Sequence, residues 1–139
     1  MKNDLIVNIT RAVFPLIIAL AFYIQINGSD SPGGGFQAGV IMASAFILFS
    51  LVFGEELAGS ILSVQLLKSI AVLGIFLYAG TGALCMIYGG DFLQYSTLAN
   101  SWFEKQTLGI SMIEWGVGLT VFSVFSLIYY VFATLVRKN

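Results

Sequence analysis

Among the ionisable side chains within or beside long apolar runs, Glu114, Lys68 and Asp30 are the candidates for ion chemistry. Glu114 follows the apolar stretch 108–113 and precedes the uncharged stretch 115–136. A carboxylate inside a bilayer is costly and faces a cavity or a partner, so at this place it can ligate a passing cation or accept a proton. If the last helix instead begins at Ser111, Glu114 falls in the first turn, solvated and favoured by the helix dipole. Both readings stand on the sequence. Lys68, one turn into an apolar run, is placed either to relay charge or to snorkel to the nearby headgroups. Asp30 either borders an ion path or has a structural role, capping the second helix or closing an Asx turn ahead of Pro32. Glu55 and Glu56 read as a solvated acidic pair.

The backbone most in need of explanation lies beside Asp30. Residues 30–39 read D-S-P-G-G-G-F-Q-A-G. Pro32 fixes its own φ and pushes Ser31 toward extended geometry, while Gly33, Gly34 and Gly35 permit positive φ or close backbone approach. One helix therefore ends before this run and another starts near Phe36. An anion-binding nest is a weak reading, because no Lys-Ser or Lys-Thr follows and an acidic residue is adjacent.

The positioning elements follow from hydropathy. Of 139 residues 58% are hydrophobic and 9% charged, with mean hydropathy +0.94, far from the roughly 25% charge of soluble domains. The fold class expected is an all-α integral membrane protein with four transmembrane helices over 5–26, 36–53, 66–88 and 108–136, forming a single domain over 1–139. Arg11 can snorkel from the first span, and Pro15 is tolerated there. The stretch 54–68 suits a short amphipathic connector. The loop 91–105, with Phe92, Tyr95, Trp102 and Phe103, is expected to lie flat at headgroup depth. Gly35, Gly39 and Ala43 recur every four residues, and Gly74, Ala79, Gly80, Gly82 and Ala83 crowd the third span; both sets allow close helix approach. The first apolar run is too long for a cleaved signal, so retention of the N-terminus is expected.

Four spans place both termini on one side, together with Lys2, Arg11, Lys68, Arg137 and Lys138; only Lys105 lies opposite. The positive-inside rule makes that side cytoplasmic. A net charge of −1 without a basic block argues against nucleic acid as a partner. The absence of histidine and the lone Cys85, read as a small hydrophobe, leave no cofactor or structural metal site; only a transient Na+ near Glu114 is envisaged. Nothing pairs a nucleophile with a base, so the chain is not expected to be an enzyme.

Pro32-Gly33-Gly34-Gly35-Phe36 followed by Gly39, opening a helix after a first span, together with Glu114-Trp115-Gly116-Val117 opening the last, resembles the MnhB/MrpB family, small subunits of multisubunit Mrp-type sodium/proton antiporters. The resemblance covers nearly the whole chain. It implies a small four-helix subunit in a large hetero-oligomer whose ion-translocating machinery is related to the membrane arm of respiratory NADH:quinone oxidoreductase. The family motif falls on Pro32, Gly33, Gly34, Gly35, Phe36 and Gly39. The acidic residue at the head of its last helix falls on Glu114, with Gly116 and Val117 after it. Family members often carry His-Asn where this chain has Ser29-Asp30, so no proton role for that histidine applies. They commonly have Asp where this chain has Glu114, which keeps the charge and changes its reach.

The expected role is that of a prokaryotic inner-membrane subunit. It would pack on large proton-pump-like and small membrane subunits through its small-residue faces, with Glu114 lining part of a Na+ path and Na+ and H+ as transported ions. Four spans with few intramembrane charges are thin material for a complete antiporter. Two alternatives remain on the sequence: a stand-alone homo-oligomeric channel, and the membrane anchor of a hydrogenase-type redox complex.

Overall fold

A computed structural model describes residues 2–28, 34–97 and 102–138. Its elements are α1 (Lys2–Ile26), α2 (Gly35–Phe53), α3 (Glu55–Ile61), α4 (Val64–Ile87), a 3-10 turn at Tyr95–Thr97 and α5 (Trp102–Lys138). Four of them are long and apolar enough to cross a membrane: Asp4–Ile26, Gly35–Phe53, Val64–Ile87 and Thr107–Val136. The all-helical, four-span architecture read from hydropathy is the one observed. Its chemical reason is that lipid offers no hydrogen bonds, so each span must close its own backbone ladder.

The helix α5 starts at Trp102, well before the expected residue 108. The stretch Trp102-Phe103-Glu104-Lys105-Gln106 holds no Gly or Pro, so nothing stops the helix from extending beyond its apolar part. Its 37 residues span about 55 Å, more than a bilayer core, so α5 either tilts across the membrane or extends beyond it. The 91–97 segment is folded back on the bundle rather than spread flat. Phe92 packs on Gly82 of α4 and Tyr95 packs on Gly109 of α5, where a Cβ would stand 2.6 Å from ring atoms. Burial in that corner pushes the Tyr95 hydroxyl above its ordinary value, with smaller contributions from Tyr78 and Cys85.

The turns have identifiable chemistry. Gly54 ends α2 at φ +97°, its N–H bonded to the Ser50 carbonyl, and α3 forms the short connector expected at 54–68. Ser63 caps α4 by accepting from the Leu66 N–H at 3.2 Å. Helix α4 ends in a Schellman motif: Gly89, at φ +84°, donates to the Met86 carbonyl, and Gly90 donates to that of Cys85.

The helix α5 is the axis of the bundle, with α4 on one side and α2 on the other, while α1 packs on α2. The contacts with α5 are backbone-close because glycines face it. A Cβ at Gly74 would lie 2.6 Å from the Gly116 carbonyl oxygen, and one at Gly39 would lie 2.7 Å from that of Gly118. Ala21, Ala38, Ala43, Ala45 and Ala58 fill most of the remaining core, with Cys85 among them as the small hydrophobe expected. Three buried hydroxyls return to their own helices: Thr81 to the Leu77 carbonyl, Ser126 to that of Phe122 and Ser123 to that of Leu119; the buried Ser50 Oγ has no such partner. At the end carrying the chain termini the packing becomes aromatic. Phe14, Phe49 and Phe53 form one chain of rings, and Phe46 joins Phe122 and Tyr130. The Tyr130 hydroxyl donates to the Leu62 carbonyl at 3.1 Å, tying α5 to the α3–α4 link. Arg11 lies with its guanidinium carbon 5.9 Å from the Phe53 ring centroid, a cation–π contact at the same end.

Candidate functional site

Glu114 is the centre of the site at the opposite end. It stands twelve residues after the first residue of α5 (114 − 102) and seven after the first residue of the apolar span (114 − 107), so it is not in a first helical turn. Seven residues amount to about 10 Å of helix. The residue is half-buried.

Two glycines bracket the carboxylate. A Cβ at Gly28, just beyond α1, would stand 2.6 Å from Oε2 and 2.9 Å from Oε1. A Cβ at Gly34 would stand 3.1 Å from Oε1. Gly34 has φ +129°, a backbone that L side chains rarely adopt, and it forms the N-cap of α2. The close approach continues at Gly35, where a Cβ would overlap the Glu114 carbonyl oxygen and lie 2.9 Å from the Gly118 nitrogen. The glycine run thus does two jobs: it lets α2 start in an unusual backbone, and it lets that start press against the turn of α5 bearing the carboxylate. The positive end of the α2 dipole is thereby set beside a negative group, which is electrostatically favourable.

Gln25, on the last turn of α1, was not legible as a site residue. It is 7% exposed, its carboxamide carbon would lie 3.3 Å from a Cβ on Gly118, and its Nε2 is buried with no hydrogen-bond partner. The sequence signal was a single amide near the end of a span, which looks like any interfacial polar residue.

The other sequence candidates lie apart from this centre or outside what is described. Gly39 and Gly116 are buried against α5 and α4 respectively, so the close packing they allow is used inside the chain. Phe36 is 58% exposed and points away from that packing. Lys68 is exposed, and it lies six residues (74 − 68) before the point where Gly74 meets Gly116, about 9 Å further from the Glu114 end. It is therefore not gathered with Glu114. Asp30, Pro32 and Gly33 lie outside the described residues. Among the described residues no cluster of three or more His, Cys, Asp or Glu side chains could hold a metal ion. The donor set suits a proton or a weakly held monovalent cation, which one carboxylate and nearby backbone can attract and release.

Fold and site together define a polytopic α-helical membrane protein with a single glycine-bracketed carboxylate set into its central span. Residues 5–127 match the family model described as a domain related to the MnhB subunit of the Na+/H+ antiporter. The chain belongs to the MnhB family. It is 31% identical over 128 residues to a protein of Staphylococcus epidermidis RP62A named "Putative antiporter subunit mnhB2", covering 88% of this chain and 89% of that one. A protein of the same name from Staphylococcus haemolyticus JCSC1435 is 31% identical over the same shares. The one from Staphylococcus aureus Newman is 33% identical over 98 residues, 69% of each chain.

Proposed function

We propose that this chain is a non-catalytic, multi-pass subunit of a multisubunit Na+/H+ antiporter in the prokaryotic inner membrane, and that Glu114 forms part of the route taken by the cation or the counter-moving proton. Family membership supports the first part. The observation that carries the second is the carboxylate itself, held within a span between Gly28 and Gly34, whereas the other charged residues of the described spans, Asp4, Arg11 and Lys68, are exposed. A complete antiporter needs a gated path with several ionisable groups. Among its described residues this chain brings one, Glu114, into the packed bundle, so the remainder belongs to partner subunits, large proton-pump-like ones among them. Because α2 turns Gly35 and Gly39 inward, the small-residue surface left for a partner is the outer side of α4. Ala79 and Ala83 are exposed there, and a Cβ on Gly80 would meet nothing within 4 Å.

The test is to tag the chain in its native membrane, solubilise gently, and weigh and identify what accompanies it. Large proton-pump-like subunits in fixed stoichiometry are expected. Recovery of copies of this chain alone, with conductance in liposomes, would contradict the proposal and favour a homo-oligomeric channel. Iron–sulfur or nickel proteins in its place would point to a redox complex.

A further inference from the structure

The charge of Arg11 is not met by the packing of the bundle. The residue is exposed, lies over the Phe53 ring and forms no ion pair among the described residues. A phenyl ring offers no lone pair, so the guanidinium N–H donors are left for an acceptor from outside the chain. Phe53 is the last residue of the α2 span, which sets Arg11 at the border of the hydrocarbon. Asp4 lies seven residues earlier (11 − 4), about 10 Å along α1. Glu55 and Glu56 border a depression on the α5 side of Phe53, with Tyr129 and Phe132.

Water can satisfy an arginine at any surface, but this one stands at the head of a groove. A cavity of about 210 Å³ is lined by Phe14 and Ile18 of α1, Met42, Phe46 and Phe49 of α2 and Phe122 of α5, with no polar side chain on its walls. Arg11, Phe14 and Ile18 fall at i, i+3 and i+7, so the arginine continues the stripe of α1 that walls the groove. On α2, Met42, Phe46, Phe49 and Phe53 recur at the same spacing and end under Arg11. The rings of Phe14 and Phe49 lie 5.4 Å apart and those of Phe49 and Phe53 4.7 Å, so groove and cation are joined without a break. From Phe53 to Met42 is eleven residues (53 − 42), about 16 Å, close to half of a hydrocarbon core of about 30 Å. Phe14, Ile18, Met42 and Phe49 are only half-buried, so the groove opens to the side of the bundle.

We propose that this groove is a phospholipid site: one acyl chain lies between α1 and α5 on the floor made by α2, and the lipid phosphate bonds to the Arg11 guanidinium. A chain entering an apolar groove from the bilayer gains no hydrophobic energy, because lipid tails are as apolar as the walls. It is held by close packing against the rings and by a charge-assisted, two-pronged bond between guanidinium and phosphate. The depth of the groove matches one leaflet, and its mouth carries the charge that a phosphate requires. A partner's helix does not fit, since one turn of a helix about 10 Å wide fills about 400 Å³, roughly twice the cavity. The site is independent of the reading of Glu114, which lies at the opposite end of the bundle.

The test uses the full chain with the subunits that accompany it out of the membrane, washed in detergent and placed in nanodiscs of dioleoylphosphatidylglycerol. A cryo-electron-microscopy map should show chain-shaped density between Phe14 and Phe122, ending in a phosphate within hydrogen-bond distance of Arg11. Native mass spectrometry should count one phospholipid fewer per copy of this chain in Arg11→Gln, and one fewer in Ile18→Trp, which fills the groove. The count should be unchanged in Leu16→Trp, on the exposed side of α1. An empty groove, a partner side chain seated in it, chain density that ends away from Arg11, a phosphate on Arg11 with no chain behind it, or equal lipid counts in all variants would each overturn the site. If Arg11→Gln and Ile18→Trp fail to assemble, the wild-type map decides.

Discussion

Replacing Gly35 by alanine adds one methyl group at the tightest crossing in the molecule. Its Cβ would overlap the Glu114 carbonyl oxygen and lie 2.8 Å from the carbonyl carbon and 2.9 Å from the Gly118 nitrogen. Ordinary contacts to carbon lie at about 3.5–4.0 Å, so α2 and α5 must separate by roughly 1 Å. The atoms in the way are backbone, which no rotamer change can move. Overpacking of this kind costs about 1–3 kcal/mol, and the separation also strips contacts from Gly39 against Gly118. Against this stands a gain of up to about 1 kcal/mol from helix propensity, since alanine is the better helix former. The net expectation is a loss of about 1–2 kcal/mol, read as a lower midpoint in a thermal scan of the detergent-solubilised complex by size-exclusion chromatography. Gly59→Ala supplies the control, because its Cβ would meet only the Tyr130 hydroxyl at an ordinary 3.6 Å. Gly35→Ala melting with the wild type, or no lower than Gly59→Ala, would refute the packing argument.

Two further substitutions probe the same surfaces. Gly34→Val must hold a β-branched residue at φ +129° with its Cβ 3.1 Å from a Glu114 carboxylate oxygen, so the assembled complex should largely disappear from a native gel; a normal yield would contradict the backbone reading. Gly80→Leu faces open space, so the separately expressed chain should keep its melting behaviour while co-purification of partner subunits falls; undiminished co-purification would remove the outer side of α4 from the interface.

Depth was legible in the sequence and azimuth was not. The four spans and the break at the glycine run follow from hydropathy and backbone chemistry, which act along the chain. Which neighbour a span faces is a different matter, because in lipid both sides of a helix are apolar and amphipathicity weakens as a guide. Gly35 and Gly39 announced a close approach without saying whose. They meet α5 of the same chain, and the outward small residues are those near Gly80. Glu114 stood out by its charge, but its contact with Gly28 and Gly34 joins residues far apart in sequence, which no local pattern encodes. Gln25 escaped notice for the same reason: the missing partner of its Nε2 is a property of the packed bundle.

The central claim is that the Glu114 carboxylate takes part in ion movement. Its most direct test is sodium-dependent proton transport in inverted membrane vesicles carrying Glu114→Gln, with assembly of the complex checked on the same membranes. The amide keeps the shape and removes the charge, so antiport should fall about tenfold or more while the complex remains whole. Antiport at the wild-type rate from an intact complex would contradict the claim and leave Glu114 as a support for the glycine turn.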